Sequence, residues 1–416
     1  MFTGCEILDQ LIFDSDEERE EEEFLIVCAL ADQYIQEQEN KRRSTFYVRD
    51  RLEWGKHVEE LMAEGDDAFS RLYRMEYHSF SRLCDIIRPT VEVDEDMSSL
   101  RTGKGPITVE IMLHCLLRWL GGGSYLDIRS SAGISVASFY RCVYKCIDAI
   151  LASDELSYSF PQGEEEIASA ARKFEALSSN GAIKGCVACL DGYLLGIQVP
   201  SSKETGNVKA YFSGHYQAYG INVQAACDHK CRFVYACVAA PGGVNDISAF
   251  RKTKLPQMIP NLPPGKFVAG DNAYVCSEHL LTPFSRDERS EARKDAYNFY
   301  LSQLRIRIEQ AFGFMTTKWR ILKRPLQVHL KRVGYIFLCI ARLHNFCINE
   351  GCDLEATNDR DAEGATFVPS DISVTEVEGS SMLRDIIVEE LARKGLERPQ
   401  YNLERNGAVV NNLLQA

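Results

Sequence analysis

Four carboxylates stand where an acid needs a reason to be. Asp191 closes the apolar run Cys186-Val187-Ala188-Cys189-Leu190 and is followed by Gly192. Asp246 follows the break Pro241-Gly242-Gly243, and Asp271 follows Phe267-Val268-Ala269-Gly270 directly. Glu309 lies beside the apolar stripe of a long helical stretch. A carboxylate at the end of a buried strand is desolvated and costly unless it is paired or bound to a cation. Several converging acids repel one another, and a divalent ion removes that repulsion. Two Mg²⁺ ions ~3.5–4 Å apart can activate a water and stabilise the leaving oxygen of a phosphodiester. Mg²⁺ (or Mn²⁺) favours carboxylate, water and substrate phosphate as ligands, so this chemistry needs no histidine or cysteine. Each acid also has a plain structural reading. Asp191 can form a turn with Gly192, Asp246 can be a helix N-cap, Asp271 an Asx-turn former, and Glu309 a partner for Arg305 one helical turn back. Together, in this order, they fit one site better than four coincidences.

The elements that would position these acids change period along the chain. Cys186 to Leu190 is a continuous apolar run, as a strand buried on both faces requires. Tyr219 to Ala226 and Arg232 to Ala239 read as two strands joined through Asp228-His229-Lys230. Asn245 or Asp246 can cap a helix through Phe250, and Phe267 to Gly270 is a short strand. Ala296 to Leu322 reads as a long helix with Leu301, Leu304, Ile308, Ala311, Met315, Trp319 and Leu322 on one stripe. This is an α/β core, spanning 185–346.

Upstream the pattern is helical. Residues 66–88 carry Phe69, Leu72, Tyr73, Phe80 and Leu83 at helical spacing, with Pro89 as the stop. Pro89 to Gly105 reads as a linker, so 41–105 is a helical region and linker. In 106–150, Pro106 suits a first helical turn and Ile107, Ile111, Cys115, Leu116 and Trp119 mark one face. Gly121-Gly122-Gly123 stops that helix, a short segment runs from Ser124 to Ser130, and a turn passes through Ala132-Gly133. Ser135 caps a second helix, Val136 to Ile150, with Phe139, Val143, Cys146 and Ile147 or Ile150 inward. Helix, glycine-bearing turn and helix make a helix-turn-helix-like unit, in which Ser138, Arg141 and Lys145 are candidate DNA contacts. The same spacing also suits a plain packing unit.

Charge is unevenly spread. The 416 residues carry a net charge of -13, but thirteen acids against one base fall in 1–40 and thirteen against six in 351–416. The body between these acidic ends is therefore basic, which is compatible with a polyanion. Asp14 to Glu23 is nearly all carboxylate, Phe24 to Asn40 suits an amphipathic helix, and the acidic tail 351–416, partly disordered, holds a further helix at Met382 to Lys394. The longest apolar runs, such as Phe24 to Leu30, are far short of the ~20 residues that span a bilayer, and no secretory leader is evident. Fifteen cysteines without framework spacing suit a reducing compartment and read as buried small side chains. Cys186-x-x-Cys189 with Cys227-x-x-x-Cys231 could be imagined as a zinc site, but strand residues three apart point to opposite faces.

The segments CLDGYLLGIQVP, YGINVQAACDHKCRFVYACVAAPGGVNDISAF, GDNAYVCSEHLLTPF, RIRIEQAFGFMTTKWRIL and ARLHNF, together with the upstream LRWLGGGSYLDIRSSAGISVASFYR, resemble PIF/Harbinger transposases and their domesticated relatives over about 100–350. The resemblance implies a ribonuclease-H-like fold with a DDE site. It places Asp191, Asp271 and Glu309 as the catalytic triad and Asp246 at a fourth acidic position that the family shares and that is also proposed to bind metal. It differs from the family at Tyr193, where a small polar residue is usual, and at Met315-Thr316-Thr317, where a lysine is usual. The activity implied is a metal-dependent DNA endonuclease or transposase, with Mg²⁺ or Mn²⁺ as cofactor. The alternatives are a domesticated nuclease-like protein and a DNA-binding or scaffold factor without transposition. DNA, a Myb-like protein and a homo-oligomer are the implied partners, and the nucleus the implied location. Lys41-Arg42-Arg43 is the one basic import-like cluster.

Between 286 and 332 twelve Lys or Arg face five acids. Arg305, Arg307, Lys318, Arg320, Lys323 and Arg324 are candidate phosphate contacts, with a solvated basic face as the alternative. Lys203, Lys209, Tyr211 and His215 lie in the loop after the first strand and are further candidates.

Overall fold

The computed structural model describes residues 50–65, 67–93, 98, 106–285, 288, 291–352 and 379–399. The acidic segment, the helix expected over Phe24–Asn40, the basic cluster at Lys41–Arg43, and most of the linker and tail lie outside the described residues.

One mixed sheet carries the acids. Its five longer-range strands are β1 (Cys186–Gly196), β2 (Ala218–Cys227), β3 (Phe233–Pro241), β4 (Phe267–Ala269) and β5 (Leu280–Leu281), and the two-residue strand Phe212–Ser213 pairs antiparallel with the start of β2. They lie in the order β3-β2-β1-β4-β5. β1 pairs antiparallel with β2 and β2 antiparallel with β3, while β1–β4 and β4–β5 are parallel. The hairpin expected between β2 and β3 forms at Asp228, whose Oδ1 accepts from the backbone N–H groups of Lys230 (2.8 Å) and Arg232 (2.9 Å). β1 corrects one expectation. It does not end at Asp191 but runs on to Gly196, because Tyr193, Leu194 and Leu195 continue the ladder with β2, and Asp191 is a mid-strand residue opposite Ala225.

Helices cover both faces, as a sheet apolar on both sides demands. On the helical side the early elements are α1 (Trp54–Glu64), α2 (Ala68–Tyr73), α3 (Tyr77–Val91), α4 (Val109–Leu120), α5 (Tyr125–Ser131) and α6 (Val136–Ala152). α7 (Glu164–Glu175), α8 (Asp246–Arg251) and α9 (Leu255–Met258) cover one sheet face, where Leu190, Ala239, Ala249, Leu255 and Val268 form a core. α10 (Ala292–Lys318) and α11 (Leu330–Asn349) cover the other, joined to the core of α1–α6. α12 (Met382–Arg393) follows, close to the expected span.

The helical region departs from expectation in three places. The single helix expected over 66–88 is two, α2 and α3, separated where Arg74 turns left-handed at φ 64° and gives its N–H to Ser70 O. Pro89 does not stop α3, which continues to Val91. The proline falls in the last turn, where it breaks little of the ladder, and Val91 is held by its fully buried side chain and by Lys145 Nζ on its carbonyl (2.8 Å). α4 begins at Val109 instead of Pro106, because Thr108 caps it through Ile111 N–H. The glycine stop at 121–123 holds. The segment after it is a short helix, α5, capped by Ser124. Ser135 caps α6 through Ser138 N–H (3.1 Å), and Phe139, Val143, Cys146, Ile147 and Ile150 are all fully buried. All seven stripe residues of α10 and the turn after it are buried as well. The thirteen described cysteines are buried and none is in a disulfide among the described residues, and no helix among the described residues is long and apolar enough to cross a membrane.

Candidate active site

Asp191 is placed by its strand neighbours. Cys189 and Tyr193 share its face of β1, since side chains alternate along a strand. The Cys189 thiol reaches Leu304 O (3.1 Å), and the Tyr193 ring stacks on Phe312 at 5.0 Å. Asp191 sits midway between those two contacts, so it faces the turn of α10 that runs from Arg305 to Glu309. On that turn Arg305 Nη2 pairs with Glu309 Oε1 at 2.9 Å. Asp271 leaves the end of β4, the strand next to β1, and its Oδ1 accepts from Ala273 N–H (2.9 Å). Asp191 Oδ1 accepts from Gly192 N–H (2.8 Å).

Asp246 approaches from elsewhere. Asn245 takes the N-cap of α8 through Ser248 N–H (3.0 Å), which leaves the Asp246 side chain for other work. Its Oδ1 accepts from Asn222 Nδ2 (2.9 Å) and Gln224 Nε2 (3.1 Å). A Cβ built on Gly192 would stand 2.2 Å from that same oxygen. Gly192 is therefore required by the close approach of a carboxylate, and Asp246 lies on the face of β1 opposite the Asp191 side chain. Gln224 is held in turn by the Tyr274 hydroxyl, which donates to its Oε1 (2.7 Å).

The electrostatics tie the four acids together. Burial raises the Asp191 carboxyl well above the usual range, and the charges of Asp271 and Asp246 raise it further against the pull of Arg305. Burial also raises Asp271; Arg305 and the Ala273 N–H oppose it, while Asp246 and Glu309 add to it. The Tyr216 hydroxyl, raised to about 12 chiefly by burial, also feels Asp246, Asp191 and Asp271. Like charges held together out of water are the arrangement that a bound cation relieves.

The donor set suits a hard divalent ion, which takes carboxylate oxygens and water. One oxygen of each acid is committed to a protein donor, and among the described residues the second accepts no hydrogen bond. Among the described residues, however, no three acid, histidine or cysteine side chains are gathered about one point. The set fits such an ion in donor type and neighbourhood, and binding would have to draw Glu309 from Arg305.

The remaining candidates scatter. Arg305 faces the acids. Lys318 is buried beside Cys347 and Cys352, out of reach of a phosphate. Lys323 and Arg324 are exposed and Arg320 half-buried at the end of α10. Arg307 holds Gln310 Oε1 (2.9 Å). Arg141 is exposed and Ser138 half-buried at the start of α6, while Lys145 is taken up by Val91 O. Lys203, Lys209 and His215 are exposed and Tyr211 is buried. Reasoning from sequence overlooked Asn222, Gln224 and Tyr274. The signal for the first two was present: they are the polar pair at period two in Tyr219-Gly220-Ile221-Asn222-Val223-Gln224-Ala225, so they share a face.

With this geometry in view, comparison with known proteins is informative. Residues 190–345 match the family model described as DDE superfamily endonuclease. The proteins named "Putative nuclease HARBI1" of Rattus norvegicus and Mus musculus are each 24% identical to this chain over 253 residues, covering 60% of this chain and 70% of theirs. The Homo sapiens protein of that name is 23% identical over the same length and shares. No solved structure matches the chain. The matched segment contains all four acids.

Proposed function

Because this chain is related to the DDE superfamily endonucleases and to Harbinger-derived nucleases, we propose that it is a metal-dependent DNA endonuclease of the transposase type. The observation that carries this reading is the placement of Asp191 opposite the Arg305–Glu309 turn, with Asp271 at the end of the adjacent strand. The strand order β3-β2-β1-β4-β5, with three antiparallel strands followed by two parallel ones, supports a ribonuclease-H-like core.

In this reading Asp191, Asp271 and Glu309 would hold Mg²⁺ or Mn²⁺, and Asp246, proposed from the sequence as a fourth ligand, would add its charge from the other face of β1. The ion, when bound, supplies an activated water and neutralises charge on the leaving oxygen. The Gly192 and Ala273 amides fix one oxygen of Asp191 and of Asp271, which orients the other. Tyr274, through Gln224, fixes Asp246. Arg305 balances the acids before the ion arrives and holds Glu309 in reserve. The first turns of α6, with Ser138 and Arg141, belong to the proposed DNA-reading unit. The freed 3′-hydroxyl joining target DNA, a Myb-like partner, self-association and nuclear residence rest on the family resemblance alone.

The test is nicking of supercoiled DNA by the purified protein in Mg²⁺ or Mn²⁺, beside Asp271→Ala and Glu309→Ala. Metal-dependent nicking lost by a factor of about 10² or more in both variants is expected, the scale on which electrostatic stabilisation acts. Nicking retained by both folded variants would refute the site. No cleavage by the folded wild-type protein would favour the domesticated, DNA-binding reading.

A further inference from the structure

The face of α10 that bears Glu309 does not end at the acids. Residues three, four and seven positions on share it: Phe312, Gly313 and Thr316, with Thr317 beside them and Arg320 one turn further. These residues form one wall of a groove of about 1190 Å³. The other wall comes from α2, the end of α4, the Gly121–Gly123 turn and the starts of α5 and α6. Tyr193, two residues past Asp191 on the same strand face, lines it too. The groove therefore starts one strand step and one helical turn from the catalytic carboxylates and leads away between the helical unit and the core.

Its chemistry is one-sided. Arg71, Arg74, Arg118, Arg320, Lys323 and Arg324 line it, and no Asp or Glu does among the described residues. Arg71 is also paired with Asp67. Aromatic rings lie among the cations. Tyr125 is 36% exposed and its ring stands 5.6 Å from that of Tyr140. Gly122, at φ +96°, lets the chain pass where a Cβ would come within 3.1 Å of Arg320 Cβ, which brings the two walls together.

We propose that this groove holds a single strand of DNA leaving the metal site, its phosphates on the arginines and lysine and its bases on Tyr125 and Tyr140. Cations interleaved with accessible aromatic rings are the make-up of a single-strand track, because every base offers a π-face and stacking tolerates any sequence. A duplex keeps its bases stacked on one another and presents only phosphate, so it would leave the tyrosines without use. The small residues Gly313, Thr316 and Thr317 leave this wall low, and a Cβ at Gly313 would meet nothing within 4 Å. The inference deepens the nuclease reading and rests on DNA as the substrate, but it concerns binding and not cleavage.

The experiment is fluorescence anisotropy of a short labelled oligothymidylate with full-length protein in EDTA, with the same-length duplex as competitor. Two variants probe the groove. Lys323→Glu with Arg324→Glu reverses two exposed cations. Gly313→Glu puts a charge where a Cβ meets nothing within 4 Å, in a helix that glycine only weakens. Arg293→Glu, exposed on the remote end of α10, is the control. Single-strand binding weakened roughly tenfold or more in both groove variants and unchanged in the control is expected, the scale of one lost stacking or phosphate contact. Preference of the wild type for duplex, or unchanged single-strand affinity in both folded groove variants, would overturn the proposal. Asp271→Ala separates the two claims. In EDTA it should bind the oligonucleotide at least as tightly as wild type, since it removes a negative charge near the track, so lost cleavage with retained groove binding speaks to the metal site, and cleavage with no strand binding speaks against the groove.

Discussion

Asp191 shows how much a single side chain can be asked to bear. It is mid-strand, flanked by Gly192, and near Asp271 and Asp246, with Arg305 and the Gly192 N–H drawing its pKa back. A carboxyl whose folded pKa is raised above its unfolded value is protonated more readily in the native state. It therefore costs stability above the folded pKa, and that cost disappears as the pH falls. Asp191→Asn removes the charge while keeping the shape. It is expected to raise the apo-protein melting temperature at pH 7 in EDTA, and to leave it nearly unchanged under acid conditions where the carboxyl is protonated. A variant that melts lower than wild type at pH 7 would mean that the acids are stabilised as they stand and need no cation. Gly192 belongs to the same scale. It gives the strand the space in which Asp246 reaches β1, which is why an acid–glycine pair occurs where a strand would otherwise carry another apolar residue.

At the scale of the element, helix α6 is the best test of local reasoning. Its N-cap at Ser135 and its inward stripe were both legible in the sequence, because a serine before a 3.6-period apolar pattern has one physical reading. Ser135→Ala removes the acceptor of Ser138 N–H and is expected to cost about 1 kcal/mol in urea unfolding. No change would mean that burial of Phe139 to Ile150 alone defines the helix start. The same reasoning failed at Pro89 and Pro106, where tertiary anchors outweighed the local signal: buried Val91 kept α3 going, and Thr108 capped α4 later than the proline suggested. It also ended β1 five residues early, since an acid reads as a strand stop while the ladder with β2 runs past it. At the site, the four acids and their elements could be read from the chain, and so could Glu309 pairing with Arg305. That Asp246 stands on the opposite face of β1 could not, because only the packing of α8 against β2 determines it. Nor could the groove, which needs two stretches more than a hundred residues apart to meet.

Across the whole molecule, the helical unit and the sheet share one core, and two buried histidines lie in it. His114 accepts or donates at Nδ1 to the Tyr73 hydroxyl (2.7 Å), and its pKa is lowered to about 3, chiefly by burial. His344 bonds Cys231 O through Nε2 (2.8 Å) and is lowered to about 4, again chiefly by burial. Both are neutral in the fold. Their unfolded forms take up protons below about pH 6.5, so stability falls as the pH drops from 6.5 towards 4. By pH 5 each accounts for a loss of up to about 2 kcal/mol. The acid cluster works in the opposite sense, so the comparison must be with a variant. Urea unfolding at pH 7 and pH 5 should show a smaller drop for His344→Gln than for wild type. Equal drops would mean that His344 gains its proton without cost.

The account rests on Asp191, Asp271 and Glu309 forming a divalent-cation centre with the charge of Asp246 behind it, and calorimetric titration of Mn²⁺ into the full-length protein tests it most directly. Saturable binding that is lost in Asp271→Asn and in Glu309→Gln is the predicted result, together with a melting temperature that rises with Mn²⁺ for wild type only. Folded wild-type protein that takes up no Mn²⁺, or variants that bind it equally well, would contradict the account.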